Sequence, residues 1–418
     1  MIRSLSLVGW IGLWMNLARP LVAGDWPQIL GPTRSGVAAS DERIATQWGG
    51  VLPTVWSRRV GAGYAGIVVS EGRAVLFHRL NEEEVVECLE AATGKPLWRA
   101  AHPITFQPQV GNDNGPRATP AIAGNKVVTY GAAGALTCYE LATGRELWRK
   151  STHKDFQATE GYFGAGSSPL ILGDRVIVNV GGKKQAAGVV AFSLTSGETL
   201  WQRVADDASY SSPVVMTSNE QTIAIVITRL KCVGLMVEDG TEVFNVPFGA
   251  RGPTVNGAAP VVLGDRIFLT SSYGVGSLSG QLTFPTFQTD YSSGEFFASQ
   301  YATPVPYEGM LLGLDGRDDI PPADLKCIDP VKKRVLWSEQ SFGYGTQILV
   351  DGKLVLLKTN GELVLVQPDL TAYDERGRVT VLSGETRALP ALSNGLLYVR
   401  DDQELKCVDL RAPRKAAR

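Results

Sequence analysis

Histidine is scarce in this chain of 418 residues: only His78, His102 and His153 occur, and none is spaced from another as paired metal ligands are. A zinc site is therefore not expected. Cysteine is scarce too, with Cys88, Cys138, Cys232, Cys327 and Cys407 widely separated and odd in number. That is no disulfide scaffold, and no C-x-x-C-H haem attachment site is present. Charge of one sign is missing: 40 basic against 42 acidic side chains give a formal net charge of −2, with no basic stripe to hold nucleic acid. Past the first two dozen residues no apolar run is long enough to span a membrane.

Those first residues are different. Arg3, the apolar run LSLVGWIGLWM and then ARPLVAG have the charged, apolar and small-residue regions of a secretory signal peptide, with cleavage expected after Ala23 or Gly24. No cysteine stands at that point, so a lipid anchor is not expected. The chain is read as signal peptide (1–24), N-terminal extension (25–51), one large domain (52–410) and a basic tail (411–418). A periplasmic or secreted, monomeric protein follows from this reading.

Glycine (46) and proline (23) are plentiful, and they punctuate a repeat. The phrase ATGKPLW (92–98) returns as ATGRELW (142–148), TSGETLW (195–201), EDGTEVF (238–244) and PVKKRVLW (330–337). The terminal aromatics Trp98, Trp148, Trp201 and Phe244 are 50, 53 and 43 residues apart, and the next gap, to Trp337, is 93 residues. One degenerate unit must lie in that gap. GAAPVVLGDRIFLTS (257–271) supplies its first strands. Two further units follow, around ILVDGKLVLLKTNGELVLVQ and RALPALSNGLLYVRDDQELKCVDL, and the last ends before its final strand. LPTVWSRRV (52–60) carries Trp56 without preceding strands and is the missing piece.

Each unit has four short strands with turn signals between them, over roughly 45 residues, which is the arithmetic of a propeller blade. The expectation is an all-β, eight-bladed β-propeller of four-stranded antiparallel blades, its ring closed by the N-terminal strand, with seven blades as the alternative. The stretch FPTFQTDYSSGEFFASQY (284–301) reads as a degenerate fourth strand plus connection, or else as an exposed recognition loop. The phrase A-x-[ST]-G-x-x-x-W resembles the repeat of the pyrroloquinoline quinone (PQQ)-type propellers over residues 52–410. The stretch DWPQILGPTRSG (25–36) resembles the opening of exported bacterial members. WD-repeat propellers are the structural rival, but neither a Gly-His pair nor a Trp-Asp dipeptide recurs.

Trp56, Trp98, Trp148, Trp201 and Trp337 share one slot of the repeat. A residue repeated at equivalent positions meets the neighbouring blade, and the resemblance implies the same blade-docking role. A stacking or sugar-binding set is the other reading. Cys88, Cys138 and Cys327 each stand ten residues before their Trp, where Ala191 stands before Trp201. The slot is small and apolar, and the cysteine reads as packing.

The resemblance also implies what quinone-dependent dehydrogenases need: adjacent cysteines, a stacked Trp, a catalytic Asp and calcium ligands. This sequence has no adjacent cysteines, and none of its residues matches the other motifs. No cofactor and no catalytic residue or metal ligand is therefore assigned; PQQ with calcium belongs to the alternative reading only. Candidate function lies where the first strands begin, around the axis. Three residues ahead of the strand-opening position stand Arg117, Gly166, Tyr210, Gly257, Tyr301, Tyr344 and Arg387, with Asp113, Asn114, Tyr162 and Asn256 nearby. Tyrosines and arginines at one mouth suit a ligand or peptide pocket, or they cap strand ends and order water. The leading function is a binding scaffold for an envelope protein or small ligand. A quinoprotein-like oxidoreductase is the alternative, and a glycan-binding or glycan-modifying surface protein a third reading.

Overall fold

The computed structural model describes residues 24–252 and 254–411; the signal-peptide reading for residues 1–23 and most of the basic tail fall outside these. Alternating strands and Gly-containing turns fold into eight four-stranded antiparallel sheets. Blades 1 to 7 occupy residues 68–103, 121–151, 170–203, 214–247, 261–293, 305–339 and 345–380. Blade 8 takes three strands from residues 391–409 and its outer strand from Thr54–Arg59. That strand pairs antiparallel with Glu404–Asp409, setting Trp56 opposite Cys407 and Arg59 opposite Glu404. Closure by the two ends covers the edges that an open array would leave unpaired, and seven blades are excluded. Residues 284–301 contain the outer strand Thr286–Ser293 of blade 5, so the degenerate-strand reading is the correct one.

The apolar core lies between blades. Val128 and Cys138 of blade 2, for example, share a cluster with Val176, Val178 and Val190 of blade 3. Short strands leave little area on any one sheet, so each blade is stable only against its neighbours.

The repeated phrase is the joint between them. The indole N–H of each phrase tryptophan donates to a main-chain carbonyl of the following blade: Trp56 to Ala91 (3.0 Å), Trp98 to Leu141 (2.8 Å), Trp148 to Leu194 (3.0 Å), Trp201 to Val237 (3.1 Å) and Trp337 to Asp369 (2.8 Å). Four of these rings also cover the phrase glycine of the next blade. A Cβ built on Gly94, Gly197 or Gly240 would stand 2.6–2.7 Å from the covering ring, and Gly144 meets Trp98 more closely still. These glycines have φ of +71° to +74°, a conformation other residues adopt at a cost. The phrase thus supplies both tongue and groove.

Behind each ring, across the sheet, stands a small residue: Cys88 opposite Trp98, Cys138 opposite Trp148, Cys327 opposite Trp337, Ala191 opposite Trp201 and Gly234 opposite Phe244. All five cysteines are free and buried, and burial raises every thiol pKa, Cys88 and Cys327 to about 11. Three blades depart from the rule. In blade 5 the slot holds Tyr291, opposite Ser279, and its hydroxyl donates to the Pro330 carbonyl of blade 6 (2.7 Å). Phe244 of blade 4 stacks on Phe287 of blade 5 at 4.4 Å and 19°. The outer strand of blade 7, Glu375–Thr380, carries no aromatic, and Trp48 of the N-terminal segment packs over its Gly377.

The rest of that segment crosses the axis. Trp26 exchanges two main-chain hydrogen bonds with Val69 of blade 1, and Pro27 accepts from Ile122 of blade 2. Arg34 donates to the carbonyls of Ser168 (3.1 Å) and Pro169 (2.9 Å) at blade 3. Gly36 and Ala38 bond Leu349 of blade 7. Ile29 and Leu30, between these anchors, lie on the axis and pack into the cluster of Val214 and Ile225. The stretch 25–38 is a plug.

Candidate functional site

In blades 2, 3, 4 and 6 a hydroxyl side chain (Thr119, Ser168, Ser212, Thr303) precedes the inner strand. The main-chain N–H of Gly66 donates to Thr119 Oγ1 (3.1 Å), that of Thr119 to Ser168 Oγ (2.8 Å) and that of Ser168 to Ser212 Oγ (2.9 Å). Ala259 and Thr303 repeat the contact at 2.9 Å. The belt ties successive blades at the smallest radius, and it fixes the residue two positions earlier at the rim of the axis. Eight residues hold that earlier slot: Tyr64, Arg117, Gly166, Tyr210, Gly257, Tyr301, Tyr344 and Arg387.

All but Tyr344 line one cavity of about 190 Å³. Its apolar lining comes from Ile29 and Leu30 of the plug with Ala259 and Leu389, so the axial mouth is blind. Tyr64 lies between two guanidiniums, with Arg117 at 5.2 Å and Arg387 at 5.3 Å from its ring centre, a favourable cation–π arrangement. Arg387 pairs with Asp318 and Glu385, each at 2.7 Å. Arg117 stands 3.5 Å from Asp113 and donates to the carbonyls of Asp113 and Phe163, both at 3.2 Å. Two guanidiniums against three carboxylates leave the mouth without a positive field. Burial pushes the Tyr64 and Tyr301 phenols well above their ordinary range, so both are neutral proton donors. The Tyr64 hydroxyl donates to Glu385 (3.0 Å), whereas the buried Tyr301 hydroxyl has no hydrogen-bond partner among the described residues.

The remaining candidates are placed as follows. Tyr344 is buried beneath the rim, edge-on to Tyr301 at 4.8 Å, and its hydroxyl accepts from the amides of Tyr301 (2.8 Å) and Ala302 (3.0 Å). It supports the wall and does not face the cavity. Asp113 accepts from the amides of Gly63 (2.9 Å) and Gly115 (3.1 Å), bracing the loop that carries Arg117. Asn114 offers its carbonyl to Arg79 (3.2 Å) and lines neither cavity. Tyr162 and Asn256 line an adjacent cavity of about 280 Å³, which shares Tyr210 and Gly166 with the first. Asn256 is buried and donates to the carbonyls of Thr228 and Arg229. Tyr210 accepts from the Phe163 amide (2.9 Å), holding the wall between the cavities.

Sequence reading missed Tyr64, Phe163, Tyr273, Gln300 and the plug residues. Tyr64 had a signal: it stands three residues ahead of Ile67, in the same slot as Arg117 ahead of Pro120. Blade 1 merely lacks the proline that marks the register.

Ring, joints and mouth together define an eight-bladed propeller of the PQQ-repeat class. The chain belongs to the family described as outer membrane protein assembly factor BamB, whose profile matches residues 81–339. Among solved structures it is similar to BamB from Moraxella catarrhalis (15% identity, TM-score 0.63, covering 88% of this chain and 100% of that one). It is also similar to the quinohemoprotein alcohol dehydrogenase from Comamonas testosteroni (14% identity, TM-score 0.68, 94% and 82% covered). At such identities the likeness is one of fold. No curated protein matches the sequence.

Proposed function

We propose that the protein is an exported, non-catalytic binding scaffold of the cell envelope that engages its partner at the axial mouth. The observation that carries this reading is the convergence of seven slot residues from seven blades on one blind, aromatic-walled cavity. A cavity of about 150 Å³ accepts a benzene ring, so about 190 Å³ accommodates one ring-sized apolar group. A partner would insert one such anchor, with the tyrosine and arginine rim contacting what surrounds it. The BamB family profile supports a protein partner in envelope assembly.

A calcium-held quinone would need acidic ligands converging on the axis. Asp113, Asp318 and Glu385 are each already engaged by an arginine, and among the described residues no three His, Cys, Asp or Glu groups stand together to hold a cation. The donor set present does not fit that group.

Immobilised mature chain is expected to retain a specific protein from a solubilised envelope fraction. Tyr64→Ala and Tyr301→Ala, each checked for an unchanged ring by circular dichroism, should bind that protein at least about tenfold more weakly. Wild-type affinity in both variants would overturn the axial assignment. Dye-coupled alcohol oxidation after loading with PQQ and calcium would overturn the non-catalytic one.

A further inference from the structure

Glu42 is 3% exposed, and its carboxylate accepts from three main-chain amides and pairs with no basic side chain among the described residues; the Arg43 guanidinium donates to the Glu42 main-chain carbonyl instead (2.7 Å). Its Oε1 accepts from Asn394 (2.7 Å) and Gly24 (3.0 Å), and its Oε2 from Gly395 (2.8 Å). A buried carboxylate without a counter-ion is costly. One of the three donors, Gly24, stands where the sequence places the end of a secretory leader. Its carbonyl accepts from Ser393 Oγ (2.6 Å), its φ is +99°, and a side chain there would collide with Asn394, so the position is built for glycine. Asp25 follows, its carboxylate accepting from the Glu71 amide at 3.0 Å, and the plug begins.

We infer that the processing site is the Ala23–Gly24 bond and that Glu42 is the counter-ion of the α-ammonium released there. A signal peptidase hydrolyses that bond with one water: the C–N bond breaks, hydroxide joins the Ala23 carbonyl carbon, and the Gly24 nitrogen takes up protons to become an ammonium. The neutral amide held by Glu42 becomes a cation, so a hydrogen bond already assisted by the carboxylate's charge becomes an ion pair between two charged groups. Cleavage one residue later would delete Gly24, taking one donor from Glu42 and the acceptor from Ser393. Processing at Gly24 therefore strengthens the tie between the start of the plug and the blade 8 hairpin. This inference rests on the export reading.

The full-length chain, expressed with its own leader in a Gram-negative host, is recovered from the periplasm for intact-mass measurement and N-terminal sequencing. The expected first residue is Gly24. A chain starting at Asp25 overturns the inference and leaves export standing; one retaining Met1 overturns both. The ion pair is tested on processed chain by placing one alanine ahead of Gly24, in wild type and in Glu42→Gln. The extension should lower the melting temperature of the wild type by about 3 °C or more and have a much smaller effect on Glu42→Gln. Equal shifts in both backgrounds would overturn the ion pair, as would no shift in wild type if Glu42→Gln fails to fold.

Discussion

Replacing Trp148 by alanine is expected to destabilise the ring by about 4 kcal/mol. The indole is 9% exposed, packs into the cluster of Val176 and Phe192, and donates to Leu194 O at 3.0 Å. Truncation removes a large apolar surface from the joint between blades 2 and 3 and strands a carbonyl in the same place. Trp148→Phe keeps most of the surface and should cost about 1–2 kcal/mol, chiefly the hydrogen bond. The groove gives the sharper test. Gly197 has φ +72°, and a Cβ there would stand 2.7 Å from the Trp148 ring. Gly197→Ala in wild type therefore combines backbone strain with a clash and should cost about 2–3 kcal/mol. On the Trp148→Ala background only the strain remains, about 1 kcal/mol. Urea unfolding of the four proteins gives the coupling directly; strictly additive losses would show that the ring and the glycine are not a joint.

That joint explains why so much of the fold was legible. A contact repeated in five of the eight interfaces leaves a repeated trace, so ATGRELW and its copies reported blade number, strand order and closure from local sequence alone. The cysteines in the phrase look like chemistry, but the register puts Cys138 across from Trp148, where only a small side chain fits behind the ring. What the sequence hides is whatever occurs once. Trp48 replaces the aromatic missing from blade 7 although more than 300 residues separate it from Gly377, and no periodicity relates the two. Arg34 belongs to a motif visible in the sequence and donates to Gln28 within it, yet its partners on the ring are the carbonyls of Ser168 and Pro169, which carry no side-chain signature. The mouth lies between these cases. Its slot residues follow the repeat and were mostly found; its floor comes from the plug and was not.

Acid should reveal one buried group more strongly than any other. His78 is 1% exposed; its Nδ1 accepts from the Gly61 amide at 2.9 Å, and its Nε2 is buried without a hydrogen-bond partner. Glu87 lies 3.9 Å from Nε2, but that carboxylate is held by Arg58 at 2.6 Å. Burial first, then the charges of Arg400, Arg58 and Arg99, hold the imidazole pKa down at about 3, from an ordinary 6.5. The unfolded chain therefore takes up this proton before the folded one does. The stabilisation is fully present above pH 6.5 and is lost as pH falls toward 3, amounting to about 3 kcal/mol between pH 7 and pH 4. Partly buried His153, with its pKa down at about 4, acts in the same direction. Glu84 acts in the opposite one: burial raises its pKa from 4.5 to about 7, so the folded chain holds a proton that the unfolded chain releases, and stability falls as pH rises through that range. These terms overlap in any single pH profile, so the measurement has to be a difference. His78→Asn keeps an oxygen to accept from Gly61 and cannot be protonated. Measured by urea unfolding, its stability relative to wild type should shift by about 3 kcal/mol in its favour between pH 7 and pH 4. Parallel profiles for the two proteins would mean that His78 is protonated as easily inside the ring as in the unfolded chain.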